Sequence, residues 1–248
     1  MIALRNLSRA ALAVSAWTML PTIVHAEGLQ VAPVSVTIPE RSGVVWLNNE
    51  GDQPLRAQVR VFRWTQADGE DVLAETTDVV ASPPFAEIAP GTQQVIRLVR
   101  FGTGATAMTG CEQTYRIIVD ELPPAEEPAT TGLQYVLRYS VPVYLTNPAC
   151  RAEAPALTWR VEPADGGTML VVSNAGQFHA QLANIGVVDA AGLRTEISGG
   201  LLGYVLPGAE RRFAIPVAPE AFTAGGNLEV KVNGEQVIAP VLLAQPGQ

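Results

Sequence analysis

From residue 27 onward the chain is written in short runs of alternating apolar and polar side chains, each cut off by turn residues. Residues 44–47 lead into Asn48-Asn49-Glu50-Gly51-Asp52. Residues 58–64 close on Gln66-Ala67-Asp68-Gly69, whose Asp-Gly pair is a strong hairpin signal. Residues 78–81 end at Ser82-Pro83-Pro84, and Pro90-Gly91 turns the chain into residues 94–100. Residues 115–120 and 133–145 complete the first half. Period-2 alternation with such punctuation predicts β-strands, and no stretch of the body repeats apolar residues at helical spacing. About seven strands in about 120 residues is the count of an immunoglobulin-like sandwich.

The polar stretch 146–156, with Pro148 and Pro155, predicts a boundary. A second β-rich half follows, with strands over 157–161, 169–173, 180–188, 211–217 and 228–232. Turns fall at Asp165-Gly166-Gly167, Asn174-Ala175-Gly176, Pro207-Gly208 and Asn233-Gly234. The expected organisation is a leader over residues 1–26, one sandwich over 27–150 and another over 151–248. The fold class is all-β, with two sandwich domains. The leader reads as a secretory signal peptide: Arg5 and Arg9, an apolar run over 10–20, and a cleavage site at Val24-His25-Ala26.

Charge narrows the function. Without Arg5 and Arg9 the 16 basic side chains fall to 14 against 24 acidic ones, a net charge near −10. Nucleic-acid binding needs the opposite balance. After the leader the sole histidine is His179, and no G-x-S-x-G, P-loop or metal-binding cluster accompanies it. An enzyme, a cofactor site and a metal site are therefore not expected. Glu126-Glu127 lies among prolines and reads as a solvated turn.

One predicted strand differs from the rest. Leu133, Tyr135, Leu137, Tyr139 and Val141 occupy alternate positions and share one face. They form either the inner face of an ordinary half-buried strand or an open apolar edge that recruits another chain.

Four segments carry a resemblance. They are Phe62-Arg63-Trp64-Thr65-Gln66-Ala67-Asp68-Gly69-Glu70-Asp71-Val72-Leu73, Ser82-Pro83-Pro84, Pro90-Gly91-Thr92-Gln93-Gln94-Val95-Ile96-Arg97-Leu98, and Tyr115-Arg116-Ile117-Ile118-Val119-Asp120-Glu121-Leu122-Pro123. In this order and spacing they resemble the periplasmic pilus (fimbrial) chaperones. The second half fits more loosely, through Ser173-Asn174-Ala175-Gly176 and Tyr204-Val205-Leu206-Pro207-Gly208.

The resemblance implies two sandwiches in an L or boomerang with a cleft between them. It implies pilin subunits as partners, captured by donor-strand complementation and delivered to an outer-membrane usher. Leu133, Tyr135, Leu137, Tyr139 and Val141 then supply the donor side chains. The short segment 122–132 and the Arg63-to-Asp71 pattern are similar to the archaic branch, whose subunits are of spore-coat type. A free chaperone of this kind could also associate with itself through the donor edge.

The chain departs from the family at the anchor for the subunit's C-terminal carboxylate. Better-known members use an Arg in the first strand and a Lys in the donor strand. Here residues 30–38 hold neither, and Pro142 stands where the Lys is expected. Arg116 is the preferred replacement and Arg138 the second choice, each with a solvated or ion-paired arginine as the alternative. Arg97 and Glu121 stand where the family places a salt bridge that steadies the domain interface. Ser82-Pro83-Pro84 is expected to hold a cis proline. Cys111 opens one strand and Cys150 follows another. If these strands pair as a hairpin, the cysteines meet in a disulfide; otherwise they are two thiols. An alternative for the whole chain is a surface adhesin or carbohydrate-binding sandwich. That reading needs aromatic residues on a loop face, whereas Trp46, Trp64 and Trp159 fall inside strands, where core roles are expected.

Overall fold

The structure, a computed structural model, describes residues 28–39, 41–101, 108, 110–123, 135–164, 167–189, 192–218, 220–223 and 227–243. The expected signal peptide, most of segment 122–132 and Leu133 lie outside the described residues.

The first sandwich comprises β1 (Leu29–Ala32), β2 (Val36–Ile38), β3 (Ser42–Asn49), β4 (Leu55–Ala67), β5 (Glu70–Glu75), β6 (Val79–Ser82), β7 (Phe85–Ile88), β8 (Gln93–Arg100), β9 (Glu112–Leu122) and β10 (Arg138–Thr146). One sheet runs β1-β3-β8-β6 and the other β2-β10-β9-β4-β5, with β7 paired to β4. Alternation decides which side chains meet between the sheets. Val45 and Leu47 of β3, Ile96 and Leu98 of β8, Ile117 and Val119 of β9, and Val143 and Leu145 of β10 are all buried. Trp46, between two inward residues, must face out and is 36% exposed, which corrects its expected core role.

Turn chemistry follows the sequence. Ala67 pairs with Glu70 across a two-residue loop in which Asp68 (φ 53°) and Gly69 (φ 79°) are both left-handed, as an Asp-Gly hairpin requires. The Ser82–Pro83 peptide is cis, as expected, and so is Ala32–Pro33. Both lie where the chain leaves one sheet of the sandwich for the other. Cys111 and Cys150 form the disulfide, with Cα atoms 5.6 Å apart at the base of the β9–β10 hairpin.

The second sandwich comprises β11 (Leu157–Ala164), β12 (Gly167–Asn174), β13 (Ala180–Val188), β14 (Arg194–Val205), β15 (Glu210–Ile215), the one-turn α1 (Glu220–Thr223), β16 (Asn227–Val232), β17 (Glu235–Ala239) and β18 (Leu242–Leu243). Its sheets run β15-β12-β11-β18 and β14-β13-β16-β17 around Trp159, Leu170, Leu182, Ile185 and Leu228. The sequence pattern misses β14 because Ser198-Gly199-Gly200 breaks its alternation; the strand pairs with β13 through bulges. A shared corner was also hidden. Asn49 donates to Gln53 and Ile88 carbonyls and accepts from Gly51 N–H, while Asn174 donates to Phe178 and Val205 carbonyls and accepts from Gly176 N–H. Each sandwich thus pins the end of one strand with the same buried Asn-x-Gly device.

The halves meet through a cluster of their own. Trp64 and Tyr144 from the first pack with Leu206, Tyr204 and Ala209 from the second. The Gln66 amide donates to Tyr204 C=O and accepts from Leu206 N–H, both at 2.9 Å, so a side chain stands in for a strand partner. Arg211 donates to Gly69 C=O at 2.6 Å and pairs with Glu70 at 3.1 Å. His179 packs flat on Tyr144, and both its ring Nδ1 and its backbone N–H meet Glu112, each at 2.9 Å.

Two outcomes follow. In the chain-entropy picture a cross-link over 39 residues contributes about 4 kcal/mol. Replacing Cys111 and Cys150 together by Ala should lower the urea midpoint accordingly, and an unchanged midpoint would contradict this. Hydrogen bonds from a charged group are worth about 1.5–3 kcal/mol. Arg211→Ala should therefore broaden the interdomain distances seen by pulsed EPR while leaving circular dichroism unchanged. An unaltered distribution would show that the hairpin tip does not hold the domains together.

Candidate functional site: an open strand edge beside a cationic junction

Strand β10 is paired with β9 along its whole length, from Arg138↔Asp120 to Thr146↔Glu112. On its other side β2 covers only Val143 to Leu145. Glu121 N–H donates to Leu137 C=O directly opposite, so the odd residues of this strand turn their backbone groups towards β9. The even residues Arg138 and Ser140 turn theirs outward, where among the described residues no strand meets them. Pro142, the next even residue, has no N–H to leave unpaired. Proline inside a regular strand is tolerated at such an edge, where no ladder hydrogen bond is lost.

The odd row behaves differently along its length. Val141 is 4% exposed and packs in the first sandwich's own core, which removes it from the expected donor side chains. Tyr139 is half-buried and its hydroxyl donates to Leu29 C=O. Leu137 is 39% exposed and Tyr135 75% exposed. The change has a geometric cause. The facing sheet is covered as far as Leu29 at the start of β1, and Leu137 Cδ1 lies 3.6 Å from where a side chain on Gly28 would begin. Beyond that point the row has no described layer beneath it.

The outer face of the same sheet leads to the domain junction. Arg116 lies directly across from Pro142, so its side chain shares the face on which the expected lysine would stand. Its guanidinium sits 3.8 Å over the Trp64 ring and 5.2 Å from the Tyr204 ring, between the two halves. Its polar contacts are the carbonyl and hydroxyl of Ser140, both at 3.4 Å. Burial draws its pKa down, and the fields of Asp71, Tyr144 and Tyr204 only partly offset this. It makes no ion pair among the described residues. Close by, the buried Trp64 Nε1 and Tyr144 Oη make no hydrogen bond among them either. A half-buried guanidinium held by aromatic faces keeps its N–H edge available to a carboxylate.

Arg138 is placed otherwise. It pairs with Asp120, which also takes Arg60 at 2.7 Å. Burial alone would raise the Asp120 carboxyl, but the two arginines outweigh it and hold the pKa below the usual value. Arg138 therefore stands at the far end of the hairpin, away from the junction. Arg97 and Glu121 are also apart: Arg97 is an exposed residue of β8 paired with Val44 and Ser82, and Glu121 accepts from Leu137 N–H. Among the described residues no ion pair joins them. The junction's polar contacts are instead Arg211 with Glu70 and Asp71, and His179 hydrogen-bonded to Glu112, which the sequence did not single out because each pair spans both domains.

Comparison with known proteins agrees with this architecture. Residues 28–149 match the family model described as pili and flagellar-assembly chaperone, PapD N-terminal domain. Comparison with curated protein sequences gives no match. Among solved structures, the chain is similar to the CsuC–CsuE chaperone–tip adhesion subunit pre-assembly complex from archaic chaperone–usher Csu pili of Acinetobacter baumannii, with TM-score 0.66 and 24% identity over 88% of this chain and 100% of that one. It is also similar to the Salmonella enterica SafA pilin in complex with the SafB chaperone, with TM-score 0.60 and 20% identity over 87% of this chain and 94% of that one. The E. coli chaperone DraB matches with TM-score 0.56 and 17% identity over 86% of this chain and 98% of that one. At these identities the structures speak for the fold, a pair of sandwiches, while the family model speaks for descent. That family is one of chaperones and not of enzymes. Through the PapD-type domain formed by residues 28–149, the chain belongs to the pilus-assembly chaperones.

Proposed function

We infer that this chaperone captures a pilus subunit by lending it the open edge of β10 and the side chains of Tyr135 and Leu137, with Leu133 and Tyr139 flanking them. The observation that carries this is one-sided pairing: the outward backbone groups of Arg138 and Ser140 lie beside apolar side chains that their own core leaves uncovered. A subunit strand laid there gains main-chain hydrogen bonds, and alternate side chains enter its apolar groove. Burying each such side chain is worth about 1.5–3 kcal/mol, less the cost of ordering the chain, so no nucleotide is needed.

Arg116 receives the subunit's C-terminal carboxylate. Its position opposite Pro142, its aromatic clamp and the absence of an ion pair to it among the described residues support this role over a structural one. The capture takes place in the periplasm, to which residues 1–26 direct the chain as a cleaved signal peptide, and an outer-membrane usher takes over the bound subunit. The likeness to the Csu complex supports the archaic branch, and a subunit of spore-coat type follows from the resemblance of the Arg63-to-Asp71 pattern to that branch. Edge-to-edge self-association is the competing fate of the free strand. The separate sheets on either side support a division into domains over 27–150 and 151–248, with the linker between β10 and β11.

Leu137→Asp should abolish recovery of a soluble one-to-one complex with the co-expressed subunit while the chaperone stays folded. Undiminished recovery would remove β10 as donor. Arg116→Ala should weaken the complex about tenfold or more, as loss of a partner for a desolvated charge does. A complex of unchanged affinity would remove Arg116 as the anchor.

A further inference from the structure

The face bordering the open edge carries a charge pattern of its own. Across the register, Leu122 and Arg56 form the outermost row, Arg138 and Asp120 the next, Ile118 and Arg60 the third, and Pro142 and Arg116 the fourth. Arg56, Arg138, Arg60 and Arg116 thus share this stretch with Asp120, with Glu87 across from Arg56 and Glu75 across from Phe62 at its far side, in a chain of formal net charge −8. Asp120 is mostly buried and cannot neutralise both of its arginines. Of these, Arg138 is the more exposed, at 68% of its side-chain surface against 43% for Arg60. Arg138 also sits on the donor strand, four residues before Pro142 and so roughly 13 Å from the level of Arg116.

Resting on the reading that Arg116 holds the subunit's terminal carboxylate, we propose that Arg138 selects subunits carrying an Asp or Glu four residues before their C-terminus. The residues leading to that carboxylate lie along the open edge of β10, the backbone without a strand partner that ends at the level of Arg116. Strand rise is the same on both sides, so the side chain four positions back from the terminus arrives beside Arg138 on the same face. An acid there takes Arg138 and leaves Arg60 with Asp120, so each of these two arginines has a carboxylate of its own. A lysine there meets two guanidinium groups and is rejected.

The test uses the full chain and soluble strand-forming peptides of about ten residues with a free C-terminal carboxylate. They differ only in Glu, Gln or Lys four residues before the end. The expected order is Glu, then Gln, then Lys, with about fivefold or more between the extremes, a span that shrinks at high salt. Arg138→Gln should bring all three within about twofold, and Arg138→Lys should keep the preference. Equal binding of the three peptides by the unaltered protein, or a preference that survives Arg138→Gln, would overturn the proposal. Amidated peptides separate it from the reading beneath. If amidation weakens binding but Glu and Lys bind alike, only the role of Arg138 fails. If amidation has no effect, or no peptide binds, the anchor at Arg116 fails and this proposal with it.

Discussion

A β-strand bonded on one side only leaves half of its backbone groups facing solvent, and the rest of this molecule is organised around that condition at β10. Backbone polar groups must find partners once water is removed, so an open edge is either defended or used. This edge has both marks. Pro142 withholds one donor and Arg138 places a charge beside it, which discourages indiscriminate pairing. Tyr135 and Leu137 lie next to it with apolar surface that their own domain does not cover. Defence against random strands and readiness for one kind of strand are set by the same few residues.

The junction gives the edge a fixed end. The disulfide ties the start of β9 to the chain just beyond β10, and the adjacent Glu112 meets His179 of the second sandwich. The Asp68-Gly69 hairpin tip rests on Arg211. Between these two points Arg116 lies against Trp64 from one domain and Tyr204 from the other. Its position is thus a property of both domains together. A terminal carboxylate placed there sets the register of any strand that runs back along β10.

Much of this was legible in the sequence. Alternation located most strands because each is buried on one face, and Asp-Gly, Ser-Pro and the two cysteines act through local chemistry that does not depend on the rest of the fold. The place of Arg116 was reachable because β9 and β10 pair as neighbours in the chain, so Pro142 has Arg116 directly opposite. What failed depended on distant partners or exact phase. Trp46 sits one residue out of phase with the core face. Val141 shares its row with Tyr135, and alternation cannot reveal where the facing sheet stops. Arg138 was available as an anchor until Asp120 was seen beside it. Arg97 and Glu121 were carried by resemblance alone, and their strands lie in different sheets. The contacts that do join the halves link residues more than sixty positions apart, such as Glu112 and His179, and leave no local trace.

Amide hydrogen exchange on the chaperone, free and bound to its subunit, tests the central claim most directly, since β10 divides its own amides into two classes. If β10 is the donor strand, the outward amides of Arg138 and Ser140 exchange quickly in the free protein and become protected on capture. The inward amides of Tyr139 and Val141, bonded to β9, stay slow in both states. Protection of Arg138 and Ser140 before any subunit is added, or rapid exchange at both in the complex, would contradict it.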